Sequence, residues 1–298
     1  MTTGPARLLT TTLDRWRWAP VPRARVAWLR WLLYPFIFVD VFVTTSWVQL
    51  HGHVPSSLHR PLLLGRALDL PAPTRSLVTA MLVTLLVSAA VAATGRLPRL
   101  AGGLTFLLYL WWMFVAFSYG KVDHDRFAYL VALAVLPTVG RASTRDRHDS
   151  EAAGWALRSV QVAVVATYFL SALAKLRYVG PEWVTSSVLL RSIARRGSAL
   201  ADPLTDHPGL LVALQALIVL LELASPLLLR TGRTQRIGVG VAAVFHLATF
   251  VGVRIIFLPH LVCLPAFLPL ERLGWRGRRT AADHPPPTGV PGGVTPPP

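Results

Sequence analysis

The chain has 298 residues, 53% of them hydrophobic and only 15% charged, with a mean hydropathy of +0.50. These values exclude an ordinary soluble domain and mark a multi-pass membrane protein. The formal net charge of +16 would suit a nucleic-acid partner, but the arginines fall between apolar segments instead of forming one basic face, which excludes nucleic-acid binding.

Residues 1–23 form a basic lead-in, with Trp16 and Trp18 as interface anchors. Met1 to Arg25 holds no apolar core before a small-residue cleavage site, so the first hydrophobic segment is expected to be retained. Eight apolar segments follow within a domain of residues 24–272, at approximately 26–48, 76–94, 100–118, 127–140, 157–176, 209–229, 237–256 and 258–270. The expected fold class is therefore an all-α integral membrane protein of about eight transmembrane helices in one bundle. The fourth and eighth segments fall short of the ~20 residues a bilayer core requires, which predicts tilted, half-buried or re-entrant helices there. Residues 273–298, rich in Pro and Gly, read as a disordered tail.

Cations set the expected orientation. With the N-terminus cytoplasmic, 17 arginines lie in inner loops against 9 lysines and arginines in outer ones, so both termini are expected inside a cell membrane. The longer outer loops, 49–75 and 177–208, would then carry groups that face a substrate.

Lys175 is one of two lysines in the chain and sits near the end of the fifth apolar segment, at its extracytoplasmic end on this topology. An ionisable side chain near hydrocarbon marks a functional site or snorkels to the interface. As a neutral amine in a dry pocket it would serve as a general base. Gln161, Tyr168, Ser171 and Lys175 are spaced by seven, three and four residues, which places them on one helix face. Other polar groups at the same level are Asp40, behind Arg30, the Lys121–Arg126 turn, and Arg254 at the end of the seventh segment. Asp40 with an arginine reads as a structural ion pair. Glu222 and His246 read as bundle-stabilising groups, pairing with each other or with Arg158. No HxxxH or HExxH spacing occurs, and His51 with His53 gives too few ligands, so no metal is expected. The lone Cys263 supports neither a disulfide framework nor a metal cluster. The aromatic run Tyr109–Phe114 reads first as a core or interfacial cluster and second as a wall of a quinone pocket.

The segment Tyr168-Phe-Leu-Ser-Ala-Leu-Ala-Lys-Leu176, followed by Trp183, resembles the signature helix of the HTTM family, the membrane domain shared with vitamin K-dependent gamma-carboxylase. Leu29-Arg30 with Asp40, Glu222-x-x-x-Pro226 and Phe245-His246 follow in the family's order, and the resemblance covers about residues 24–272. It implies that Lys175 deprotonates a reduced naphthoquinone, either vitamin K hydroquinone or menaquinol, in a reaction with oxygen and carbon dioxide. It also places His124 or Asp125 in the catalytic region and Tyr168, Ser171, Trp183 and Arg254 around the cofactor. The lysine-poor, Ala-, Arg- and Pro-rich composition suits a stand-alone bacterial member using menaquinol. No lumenal domain of the animal enzyme's kind is expected after the last segment, and hence no propeptide-docked protein carboxylation.

Three functions follow from this reading. One is a quinol-dependent epoxidase or carboxylase-like enzyme, a lyase. Another is a non-enzymatic maturation or export factor for a secreted peptide or protein. The third is a channel or transporter, against which the spans show no repeated halves or paired broken helices.

Overall fold

The computed structural model describes residues 13–274. It is helical almost throughout, and its only strands are β1 (Val21–Pro22) and β2 (Asp149–Ser150) among the described residues. The principal helices are α1 (Arg23–Val39), α2 (Arg75–Ala93), α3 (Pro98–Phe117), α4 (Phe127–Val135), α5 (Glu151–Tyr178), α6 (Glu182–Thr185), α7 (Val188–Arg196), α8 (Pro208–Ala224), α9 (Arg233–Val253) and α10 (Leu258–Leu261). Among the described residues six stretches are long and apolar enough to cross a membrane: Arg23–Thr44, Arg75–Ala93, Pro98–Phe117, Glu151–Tyr178, Pro208–Leu229 and Arg233–Val253. The protein is an all-α, multi-pass membrane protein. The pro-rich tail from residue 275 lies outside the described residues, as do residues 1–12.

The fourth and eighth apolar segments are the short ones, as their lengths require. The fourth is α4 continued by a 3-10 turn, Leu136–Val139, with Pro137 removing a backbone donor. It still runs along the second half of α1, from Asp40 back to Arg30. At one end Arg126 binds Asp40 at 3.2 Å; at the other, Arg30 donates to the carbonyls of Leu136 at 2.5 Å and Gly140 at 2.7 Å. The eighth breaks into α10 and a 3-10 turn, Leu264–Phe267, since Pro259 and Pro265 interrupt the helical ladder.

Local chemistry fixes the helix ends. Thr74 caps α2 by accepting from the Leu77 amide at 3.3 Å, and Ser150 caps α5 by accepting from the Ala153 amide at 3.3 Å. Helix α1 ends in a π turn, Asp40–Thr44, where the Thr45 amide and hydroxyl both donate to the Asp40 carbonyl, at 2.7 and 2.9 Å. Two glycines allow close approach. At Gly102 an added Cβ would lie 2.6 Å from the Tyr34 hydroxyl and 2.8 Å from Pro137, and at Gly154 it would overlap the Ala19 carbonyl. The latter contact seats the lead-in on α5, where Trp18 stacks on Trp155 with ring centroids 6.2 Å apart.

Helices α1 to α5 enclose the main core, with Tyr34, Tyr109, Trp112 and Tyr129 fully buried. Helix α9 is peripheral: only 17% of its apolar window is buried, and Val244, Leu247 and Phe250 face outward. In a membrane protein such surface is lipid-facing. Arg25 and Glu271 close the bundle through a two-bond pair of 2.7 Å each.

Candidate functional site

Helix α5 ends at Tyr178, but the bundle continues past it. Ser225 donates to the Val165 carbonyl at 3.3 Å, Glu222 meets Lys175, and Gln215 meets residues 183–189, so α8 runs antiparallel to α5 and extends beyond it. At 1.5 Å per residue, Glu222 lies ~20 Å from the start of α8 at Pro208. Lys175 is thus near the end of its helix yet deep in the bundle, with α6 and α7 stacked above it along α8.

The Lys175 ammonium donates to both carboxylate oxygens of Glu222 at 2.6 Å and to the Ser171 hydroxyl at 2.8 Å. Ser171 in turn donates to Glu222 at 3.3 Å. The side chains are 19% and 8% exposed, so this is a largely desolvated ion pair. Trp183 places its ring 5.2 Å from the Lys175 nitrogen, in cation–π range. Next to the pair, Tyr168 and His246 share a 2.6 Å hydrogen bond. The fully buried His260 lies edge-on to Tyr168, with centroids 4.5 Å apart. Neither His260 ring nitrogen has a partner, nor does His246 Nδ1. Tyr168 and Glu222 also form the polar end of a cavity of about 200 Å³ between α8 and α9, otherwise walled by Leu221, Leu228, Val241 and Phe245 among others.

One expectation is corrected here. Glu222 and His246 pair neither with each other nor with Arg158. Glu222 takes Lys175, His246 takes Tyr168, and Arg158 donates to the carbonyls of Ala19 and Gly154 at 3.2 Å each. The reason is register: Arg158 lies near the start of α5, far along the helix from Lys175. The expected ion pair of Asp40 with an arginine is present; the arginine is Arg126, while Arg30 serves backbone carbonyls.

Asp40 belongs to a second cluster. It accepts from Arg126 at 3.2 Å, from the Tyr109 hydroxyl at 2.8 Å, and from Thr44 and Thr45. Trp112 donates to Thr45 at 3.0 Å. The run Tyr109–Phe114 is therefore core, with no part in the cavity wall. Asp125 joins this cluster through Arg126 at 3.3 Å, away from Lys175. Burial pushes its carboxyl above the ordinary value, while Arg126 pulls it back. His124 is exposed and 6.4 Å from the Phe257 ring. Arg254 is exposed in the left-handed C-cap of α9 (φ 52°) and makes no hydrogen bond with the Lys175 group. Of the residues first singled out, Lys175, Ser171, Tyr168, Trp183, Glu222 and His246 converge; His124 lies at their edge, across the Phe257 ring from His246, while Asp125 belongs to the Asp40 cluster and Arg254 makes no hydrogen bond with the group. His51 packs against Tyr119, with centroids 3.9 Å apart, and no group of three or more metal-binding side chains occurs among the described residues.

Two participants carried a signal that the first reading passed over. Gln215 is the only polar side chain between Pro208 and Glu222, and its seven-residue spacing from Glu222 puts both on one face. His260 is a histidine in the apolar run 255–267.

The family model of the HTTM domain matches residues 18–271. The chain belongs to the HTTM family. It is accordingly a membrane protein related to vitamin K-dependent gamma-carboxylase. No curated protein and no solved structure matches the chain. The HTTM match takes in both polar clusters and the cavity, along with every described helix from α1 to α10.

Proposed function

We propose that this HTTM domain is a quinol-dependent oxygenase of the carboxylase-like kind, and that the Lys175–Glu222 pair is its base. The observation that carries the reading is the placement of Glu222. One carboxylate both holds the deep ammonium of Lys175 and faces an apolar cavity between α8 and α9. A reduced naphthoquinone fits such a site: its flat ring system suits the apolar walls, and its hydroxyls suit the polar lining groups Glu222, Tyr168 and Ser225. When bound, such a quinol supplies phenolic protons and, with oxygen, the strong base needed to activate a second substrate.

The chain's own residues divide the work. Glu222 lines the cavity whereas Lys175 stands behind it, so the proton of a hydroxyl presented there passes first to the Glu222 carboxylate. Lys175 remains an ammonium and balances the negative charge left in a medium with little water to screen it. Ser171 fixes the carboxylate and the ammonium together. The Tyr168–His246 bond gives a second donor beside the cavity. The Trp183 ring covers Lys175 and limits water.

The test is product mass spectrometry on purified protein in nanodiscs with reduced naphthoquinone, oxygen and bicarbonate. Glu222→Gln should lower formation of the oxidised epoxide by ~10²-fold or more. Lys175→Arg, which keeps the charge, should retain more activity than Glu222→Gln. Equal loss in both variants would return the base to Lys175. No epoxide from folded, quinol-bound protein would overturn the enzyme reading and leave the peptide-maturation role in its place.

A further inference from the structure

We infer that Gln215 is the positioning residue of this site, a latch that holds the Trp183 cap over Lys175. The inference rests on the proposed role of the Lys175–Glu222 pair. Helix α6 has four residues, too few to satisfy its own backbone, and it lies against the stretch of α8 before Glu222, where Gln215 is the only polar side chain. Gln215 supplies what is missing. Its amide nitrogen, with two N–H bonds, lies within hydrogen-bond distance of three carbonyls, Trp183 at 3.2 Å, Val184 at 2.5 Å and Ser186 at 2.9 Å, so that one N–H is shared, and its oxygen accepts the Leu189 amide at 2.8 Å. The side chain is 1% exposed. One residue on α8 thus spans the end of α6 and the start of α7 and pins the backbone that carries the Trp183 ring. In a water-poor setting each carbonyl released would stay unsatisfied until the segment moved to solvent. Gln215 touches neither Lys175 nor Glu222, so it acts through Trp183 alone.

Lysine labelling tests this without turnover. The chain has two lysines, Lys121 with a 76% exposed side chain and Lys175 under the cap, so one provides an internal reference for the other. The full chain in nanodiscs is pulsed with a water-soluble amine-acetylating reagent, and the Lys175:Lys121 labelling ratio is read by peptide mass spectrometry. Gln215→Leu should raise the ratio about 10²-fold, since it removes two N–H donors and one acceptor and each net hydrogen bond lost shifts an opening equilibrium roughly fivefold. Trp183→Ala should raise it similarly, and the double variant should exceed neither single change, because both remove one cap. An unchanged ratio in folded Gln215→Leu, or multiplied effects in the double variant, would overturn the latch. If Gln215→Leu does not fold, Gln215→Glu serves: it keeps the acceptor for Leu189 but loses the donors to the carbonyls. On the unaltered protein, the Leu189 amide should resist hydrogen exchange, and fast exchange there would also overturn the inference. An absence of quinol product in every variant, with labelling as expected, would sink the proposed chemistry and leave the latch intact.

Discussion

Breaking the Lys175–Glu222 pair from either side strands a charge, whereas removing both partners does not. Replacing one member of a desolvated pair costs about 3–5 kcal/mol, and the 19% exposure of Lys175 lowers the expectation here to about 2–4 kcal/mol. Lys175→Met should therefore insert in the membrane but lose stability in detergent. Its thermal midpoint should fall by several degrees, at about 2–4 °C per kcal/mol for a domain of this size. Glu222→Leu should behave the same way. The double variant should recover most of the loss, with a coupling energy above about 1.5 kcal/mol, because two apolar side chains of similar volume replace an ion pair that is itself costly to desolvate. The assay is the fraction of monodisperse protein surviving a heating series in one detergent, read by fluorescence-detected size exclusion on all four proteins. Additive losses, with coupling below about 0.5 kcal/mol, would refute the pair as an energetic unit. The double variant should remain inactive however stable it proves, which separates folding from chemistry.

Arg126→Leu leaves the Asp40 carboxylate without its guanidinium at 0% exposure, a loss of about 3–5 kcal/mol; Arg30→Leu strands only neutral carbonyls, about 1–3 kcal/mol. Heating in detergent should rank them in that order, and the reverse order would remove Arg126 from its structural role. Tyr168→Phe deletes the hydroxyl bonded to His246 and should cost only about 1 kcal/mol of stability while lowering quinol turnover; unaltered turnover would exclude Tyr168 from the reaction. Burial raises the Glu271 carboxyl, but its hydrogen bonds and the Arg25 charge outweigh that and hold it below the ordinary value. A depressed folded value means stability that is present above the unfolded glutamate range near pH ~4.3 and is lost as pH falls through the lower folded value. Glu271→Gln should weaken the bundle closure at neutral pH and flatten the acid limb of detergent stability; an unchanged acid limb would refute the clasp.

How much of this was legible depends on how far along the chain each signal reaches. Helix content and segment limits were legible because a bilayer demands about twenty apolar residues, and both short segments carry prolines where the helices break. The α5 stripe of Tyr168, Ser171 and Lys175 was legible because helical periodicity is local. Partners were not, since pairing depends on how two helices slide past each other. A shift of one turn, ~5.4 Å, would give Lys175 a different neighbour on α8. This is why the sequence pairs Glu222 with His246 or Arg158, gives Asp40 an arginine without saying which, and leaves Gln215 without a role.

The two polar clusters differ in what lies beside their carboxylates. In a medium without water every buried polar atom needs a partner within the protein or a ligand. The Asp40 carboxylate accepts from Arg126, Tyr109, Thr44 and Thr45, although the Arg126 Nε beside it is buried without a partner. Its four partners come from the helix bundle itself, as expected of a bundle lock. Around Lys175 the ion pair is satisfied but its neighbours are not. His260 has two unpartnered ring nitrogens at 1% exposure, His246 has one, and Glu222 faces an apolar cavity. On the proposed function, the group that meets Glu222 is polar and is carried by a body apolar enough to enter between α8 and α9. A lipid-borne hydroxyl compound meets both conditions, and a wholly water-soluble substrate meets only the first.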